Sequence, residues 1–170
     1  YPTSISSGIS LANVGTDFGV VGNEAVLSNS EGRAYGLEFL YQQKLVKGFY
    51  GIFAYTLVRS EFRNGADAPF IPSSWDSEHL VSITAGKKFK KNWEVGARWR
   101  YVHGRPYTPF LAAESAFRRN WDIRGVGIPD FSQLNSQRLA PFHQLDIRVD
   151  KTFYLDKVSL NIYFDIQNAY

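Results

Sequence analysis

A chain of 170 residues with a net charge of +3 and no cysteine has room for one ordinary domain core and carries neither a disulfide scaffold nor a thiolate metal site. The small positive balance, with lysines and arginines not blocked together on one helix, argues against nucleic acid as a partner. No run of about 18 apolar residues occurs, which excludes a transmembrane helix but leaves room for a transmembrane barrel, whose strands are only half apolar.

The chain opens at Tyr1 without a Met, a basic n-region or an apolar h-region, and so reads as a piece of a mature chain. Residues 1–32 are rich in Ser, Gly and Asn, with Ile5, Ile9 and Leu11 alternating weakly and Val20-Val21 forming a short apolar patch. They are read as a poorly patterned segment of strand and loop holding up to two short strands. Residues 33–170 are read as a β-barrel segment of three long hairpins, with long loops at about 63–77 and 104–141.

In the first hairpin Tyr35, Leu37, Phe39, Tyr41 and Leu45 alternate with polar or small residues. A short Val46-Lys47-Gly48 connection leads into Phe49, Phe53, Tyr55 and Leu57. Apolar residues of both strands fall on odd numbers, so pairs that share a face sum to an even number, placing Leu45 opposite Phe49, Tyr41 opposite Phe53 and Arg33 opposite Glu61. The long polar connection that follows is punctuated by Gly65, Pro69 and Pro72.

The central hairpin is the strongest signal. Val81, Ile83, Ala85 and Phe89 precede a Lys90-Lys91-Asn92 loop, and Trp93, Val95, Ala97, Trp99 and Tyr101 follow it, all on odd numbers. The expected register sets Phe89 opposite Trp93, Ala85 opposite Ala97, Ile83 opposite Trp99, Val81 opposite Tyr101 and His79 opposite His103. The loop after it carries the breakers Pro106, Pro109, Gly125, Gly127 and Pro129, together with Tyr107, Phe110, Phe117, Trp121 and Phe131. In the last hairpin Leu145, Ile147, Val149 and Phe153 are followed by Val158, Leu160, Ile162, Phe164 and Ile166, so parity switches. A two-residue Asp156-Lys157 turn satisfies the odd sum and sets Arg148 opposite Asp165.

Connections therefore run short, long, short, long, short, the rhythm of outer-membrane barrels. Every lysine (44, 47, 87, 88, 90, 91, 151, 157) lies within a few residues of a short turn, while all three histidines (79, 103, 143) lie at strand ends beside long loops. The strands are long, large aromatics such as Trp93, Trp99 and Tyr101 stand near both ends of the apolar faces, and the opposite face is of mixed charge. On this reading Glu94, Arg98, Arg100, Asp146, Arg148 and Asp165 face a lumen, and Arg148 and Asp165 pair with each other or with groups that fill it. A soluble sandwich or small barrel, with the apolar face turned inward, remains the alternative at this point.

No nucleophile elbow, zinc-protease helix or phosphate-cradling glycine loop is present, so the chain is read as neither an enzyme nor a cofactor binder. His79 and His103 raise a metal site, but two ligands without a third in register favour a structural role. In the longest loop Arg118, Arg119, Trp121 and Arg124 offer guanidinium and indole groups suited to an anionic ligand, set against the ordinary solvated loop.

Six segments follow one another along the chain: Glu31-Gly32-Arg33-Ala34-Tyr35-Gly36-Leu37-Glu38, Tyr55-Thr56-Leu57-Val58-Arg59-Ser60, Trp75-Asp76-Ser77-Glu78-His79, Gly104-Arg105-Pro106-Tyr107-Thr108-Pro109, Pro141-Phe142-His143-Gln144-Leu145-Asp146-Ile147-Arg148-Val149-Asp150-Lys151 and Asp165-Ile166-Gln167-Asn168-Ala169-Tyr170. In that order they resemble the C-terminal part of the barrel of TonB-dependent outer-membrane receptors, especially the bacteroidete kind. The resemblance implies a transporter of iron chelates (siderophores), cobalamin, glycans or peptides in the bacterial outer membrane, with lipid, a plug domain, TonB and a nutrient ligand as partners. A passive porin or structural anchor is the other membrane possibility. The family's plug and final strand are not represented in these residues, and family barrels have about 22 strands. The expected segment therefore has open sheet edges that invite further pairing or self-association.

Overall fold

Alternation with a period of two is met by extended backbone, on which successive side chains point to opposite faces. The computed structural model describes residues 1–5, 10–11 and 25–170, the side chain of Arg124 excepted. The expectations that rest on Ile9, Val20 and Val21 lie outside the described residues. In chain order the strands are β1 (Pro2–Ser4), β2 (Val26–Ser28), β3 (Ser30–Val46), β4 (Phe49–Asn64), β5 (Ile71–Pro72), β6 (Glu78–Lys88), β7 (Trp93–Val102), β8 (Pro106–Tyr107), β9 (Gln137–Arg138), β10 (Phe142–Tyr154) and β11 (Ser159–Ile166). The fold is all-β and antiparallel. Its large sheet runs in the order β11-β10-β7-β6-β4-β3, with β5 returning beside β4.

The expected registers of the second and third hairpins hold. Val81 faces Tyr101, Ile83 faces Trp99 and Ala85 faces Ala97, while the His103 N–H donates to the His79 carbonyl at 2.9 Å. The Phe89 N–H meets the Trp93 carbonyl at 2.8 Å across a single 3-10 turn, Lys90–Asn92, in which Lys91 and Asn92 both have φ near 59°. Arg148 lies opposite Asp165, and Tyr154 lies opposite Ser159 around the Asp156-Lys157 turn.

The first hairpin differs at its tip. Val46 belongs to β3, and the turn is Lys47-Gly48 alone, with φ of 50° and 82°, the positive values a type I′ hairpin turn requires. Glycine is needed at the second position: a β-carbon on Gly48 would lie 2.6 Å from the Lys88 carbonyl oxygen. At the far end Arg33 does reach Glu61, at 2.7 Å.

The chain divides into two units. One comprises Gly36–Leu57, Glu78–His103 and Pro141–Tyr170 and is sheet apart from its turns, among them the 3-10 turn at Lys90–Asn92. The other comprises Tyr1–Tyr35, Val58–Ser77 and Gly104–Ala140 and holds the N-terminal β1–β2 pair and the folded loops. The long loops are not structureless. The 63–77 connection starts only after β4 has run to Asn64, and β5 pairs back onto Glu61 and Phe62. The 104–141 loop is closed by β8 on β9 and contains α1 (Ala112–Ser115), α2 (Arg118–Arg124) and a 3-10 turn at Phe131–Gln133.

Candidate functional site

In the sheet unit the β7–β10 register builds a ladder of charge on one face. Asp146 stands opposite Arg98, Asp150 opposite Glu94, and Arg148 opposite Gly96. Asp146 is gripped by Arg98 at 3.1 Å and Arg100 at 3.6 Å, and accepts from the Gln144 side chain at 2.7 Å and the Asn168 backbone N–H at 3.2 Å. Glu94 accepts from the Tyr50 hydroxyl at 2.6 Å and pairs with Lys88 at 3.7 Å. Four of the six residues expected to line a lumen, Glu94, Arg98, Arg100 and Asp146, thus share one hydrogen-bonded face.

Arg148 and Asp165 are opposite in register but are not paired with each other. Arg148 turns along its own strand to hold Asp150 through two hydrogen bonds, at 2.8 and 2.9 Å, with its guanidinium 4.0 Å from the Tyr163 ring centre. Side chains two apart on a strand point to the same face, and a guanidinium reaches that neighbour as readily as the cross-strand one. Arg148 and Asp165 both line a recess of about 310 Å³, together with Gly96, Tyr50, Arg98 and Asp146.

Tyr50 is the residue that parity reasoning missed. It is an aromatic on the polar parity, and it fills the space above Gly86, where a β-carbon would lie 2.3 Å from its hydroxyl oxygen. The available signal was an aromatic breaking the alternation in a sheet whose polar face also carries Gly86 and Gly96.

The other face of this unit is apolar and bare. Leu37 is 73% exposed and Phe164 68%, and Phe39, Tyr41, Ile83, Trp93, Phe153, Leu160 and Ile162 are exposed as well. Among the described residues the buried large apolar side chain is Phe62, which belongs to the other unit.

That other unit is organised around a buried carboxylate. Asp76, fully buried, receives Arg138 in a short ion pair, lies 3.6 Å from Arg59, and accepts the Ser60 backbone N–H at 2.8 Å. Arg138 also donates to the backbone carbonyls of Asp76, at 2.8 Å, and Gly104, at 3.0 Å, tying the two ends of the loop system together. Phe70 lies between Arg33 and Arg63, 3.9 and 4.7 Å from their guanidinium carbons, and each arginine is anchored by a glutamate, Glu61 and Glu31.

Of the residues read as suited to an anionic ligand, Arg118, Arg119 and Trp121 each turn to a different neighbour. Arg118 pairs with Asp122 at 3.6 Å, Trp121 donates its indole N–H to the Ser115 carbonyl, Arg119 lies 5.8 Å from the Phe117 ring centre, and Arg124 ends α2. His79 and His103 do meet, with ring centres 5.8 Å apart, Tyr55 bonded to the first at 2.9 Å and Glu78 2.9 Å from the second. No group of three or more metal-ligating side chains is present among the described residues. No protein-family model, curated protein or solved structure matches this chain.

Proposed function

We propose that the chain is a section of barrel wall in a bacterial outer-membrane receptor of the TonB-dependent kind, importing a siderophore, cobalamin, a glycan or a peptide. The observation that carries the membrane part is the division of one sheet into a bare apolar face and a charge-laddered face. A soluble protein seldom exposes a contiguous apolar patch beyond a few hundred Å², whereas a barrel in lipid turns that face outward and its polar face to the lumen. Strand length agrees: β6 and β7, of 11 and 10 residues, match the 9–11 residues that cross a bilayer at a tilt. The receptor class rests on the six motif segments described above, and on it the plug, TonB and the nutrient are partners of the polar face and the folded loops. The open edges, β3 and β11, join further strands of the parent barrel or of another copy.

The test is made in two arms. With the chain folded into phospholipid vesicles, amide hydrogens of β6, β7 and β10 resist exchange and lipid-soluble probes label the apolar face; labelling of the charged face instead reverses inside and outside. In cells, loss of the encoding gene abolishes uptake of one scarce nutrient, and loss of TonB does the same. Uptake that survives without TonB overturns the receptor class while leaving the membrane sheet intact.

A further inference from the structure

The turn end of the sheet unit carries ammonium groups on the same face as the apolar band. Two of the chain's eight lysines stand on the apolar parity, Lys87 opposite Val95 and Lys151 between Trp93 on one side and Ile162 on the other. Each ammonium lies over aromatic rings: Lys87 Nζ is 5.4 Å from the Phe89 ring centre, and Lys151 Nζ is 5.2 Å from those of both Trp93 and Phe153. Lys151 also donates to the Lys91 carbonyl, which draws it to the turn where Lys90 and Lys91 are exposed. The nearby carboxylates serve the other face, Glu94 with Tyr50 and Lys88, and Asp150 with Arg148. No ion pair to Lys87, Lys90, Lys91 or Lys151 is present among the described residues.

We propose that this row binds the headgroup phosphates of anionic phospholipids, with the acyl chains lying against Ile83, Val95 and Ile162. An acidic polypeptide would satisfy the ammonium groups and leave their apolar neighbours in water. A neutral lipid would cover the apolar band and leave the charges without counterions. An amphiphile with an anionic head satisfies both at once: the lysine stems run along the apolar surface while the heads reach the phosphate level, and Trp93 sits at the boundary, where indole is favoured. The inference rests on the reading that this face meets lipid, and its test separates the two.

The probe is Trp93 fluorescence, with Trp75, Trp99 and Trp121 replaced by Phe, in phosphatidylcholine vesicles doped with brominated phosphatidylglycerol or brominated phosphatidylcholine. The expected result is stronger quenching by the glycerol lipid, a relative binding constant of about fivefold for each lysine engaged. The preference disappears in molar salt and falls to near unity in Lys87→Gln with Lys151→Gln. Equal quenching by the two lipids, or a preference untouched by salt and by the lysine substitutions, overturns the headgroup site while the membrane reading stands. Quenching by neither lipid overturns both. The salt arm uses the unsubstituted lysines, so the outcome does not depend on the double variant folding.

Discussion

Tyr50 occupies the space that a side chain at Gly86 would need, and its hydroxyl donates to Glu94 at 2.6 Å. The ring fills a gap that the glycine leaves in the sheet surface, and the hydrogen bond ties β4 to β7 across β6. Gly86→Ala forces the ring away and is expected to destabilise the sheet by about 1–3 kcal/mol. Tyr50→Phe keeps the ring and loses only the hydrogen bond, at about 0.5–1.5 kcal/mol. Denaturant unfolding in lipid or detergent reads both, and a Gly86→Ala variant as stable as its parent refutes the packing.

Arg148 gives a sharper discrimination. Its coupling to Asp150, measured by a double-mutant cycle, is expected to be favourable but small, since the guanidinium is exposed and solvent screens the pair. The coupling to Asp165, its cross-strand neighbour, should be the weaker of the two, a through-space attraction without a hydrogen bond. The reverse order would restore the pairing expected from register alone.

Asp76 sits where removal is costly. Asp76→Ala leaves Arg138 and Arg59 facing a buried void and is expected to cost about 2–4 kcal/mol of local stability, below the full cost of a wholly buried pair because a quarter of Arg138 is exposed. Limited proteolysis reports it: cleavage between residues 104 and 140 should accelerate in the variant while the β6–β7 hairpin stays protected.

Asp130 caps the 3-10 turn at Phe131–Gln133. The hydrogen bond from the Ser132 hydroxyl, opposed by desolvation and joined by those from the Ser132 backbone N–H and the Gln133 side chain, holds its carboxyl below the usual carboxylate range. A depressed folded-state value means that the cap contributes stability above the unfolded-chain pKa and loses it as pH falls through the lower, folded value. A carbon-13 titration of the Asp130 carboxyl should show the depressed midpoint, and Ser132→Ala should bring it back up.

The central and last hairpins were legible because a period of two over ten or more residues admits one parity rule, and each turn length then admits one register. Arg33 and Glu61 could be matched for the same reason. The tip of the first hairpin was misjudged by one residue because Val46 is equally acceptable in a strand and in a connection. Helices α1 and α2, of 4 and 7 residues, are too short to show a helical period among prolines and glycines. Of the site, the charged face could be read as a set, but its pairings could not, since Arg148 has two carboxylates within reach and register names only one. Asp76 was visible as part of a motif, yet nothing in its neighbours foretold that Arg138, far along the chain, would close on it.

The two edge strands carry a topological consequence. Gly48 meets Lys88 and Tyr55 meets His79, so β4 and β6 run in opposite directions, as do the pairs on either side. Six alternating strands leave β3 and β11 pointing opposite ways. Any cylinder that contains this sheet and stays antiparallel throughout must therefore bridge the gap with an even number of strands, or none. An odd number would force one parallel seam, with its slanted hydrogen bonds, somewhere around the circumference.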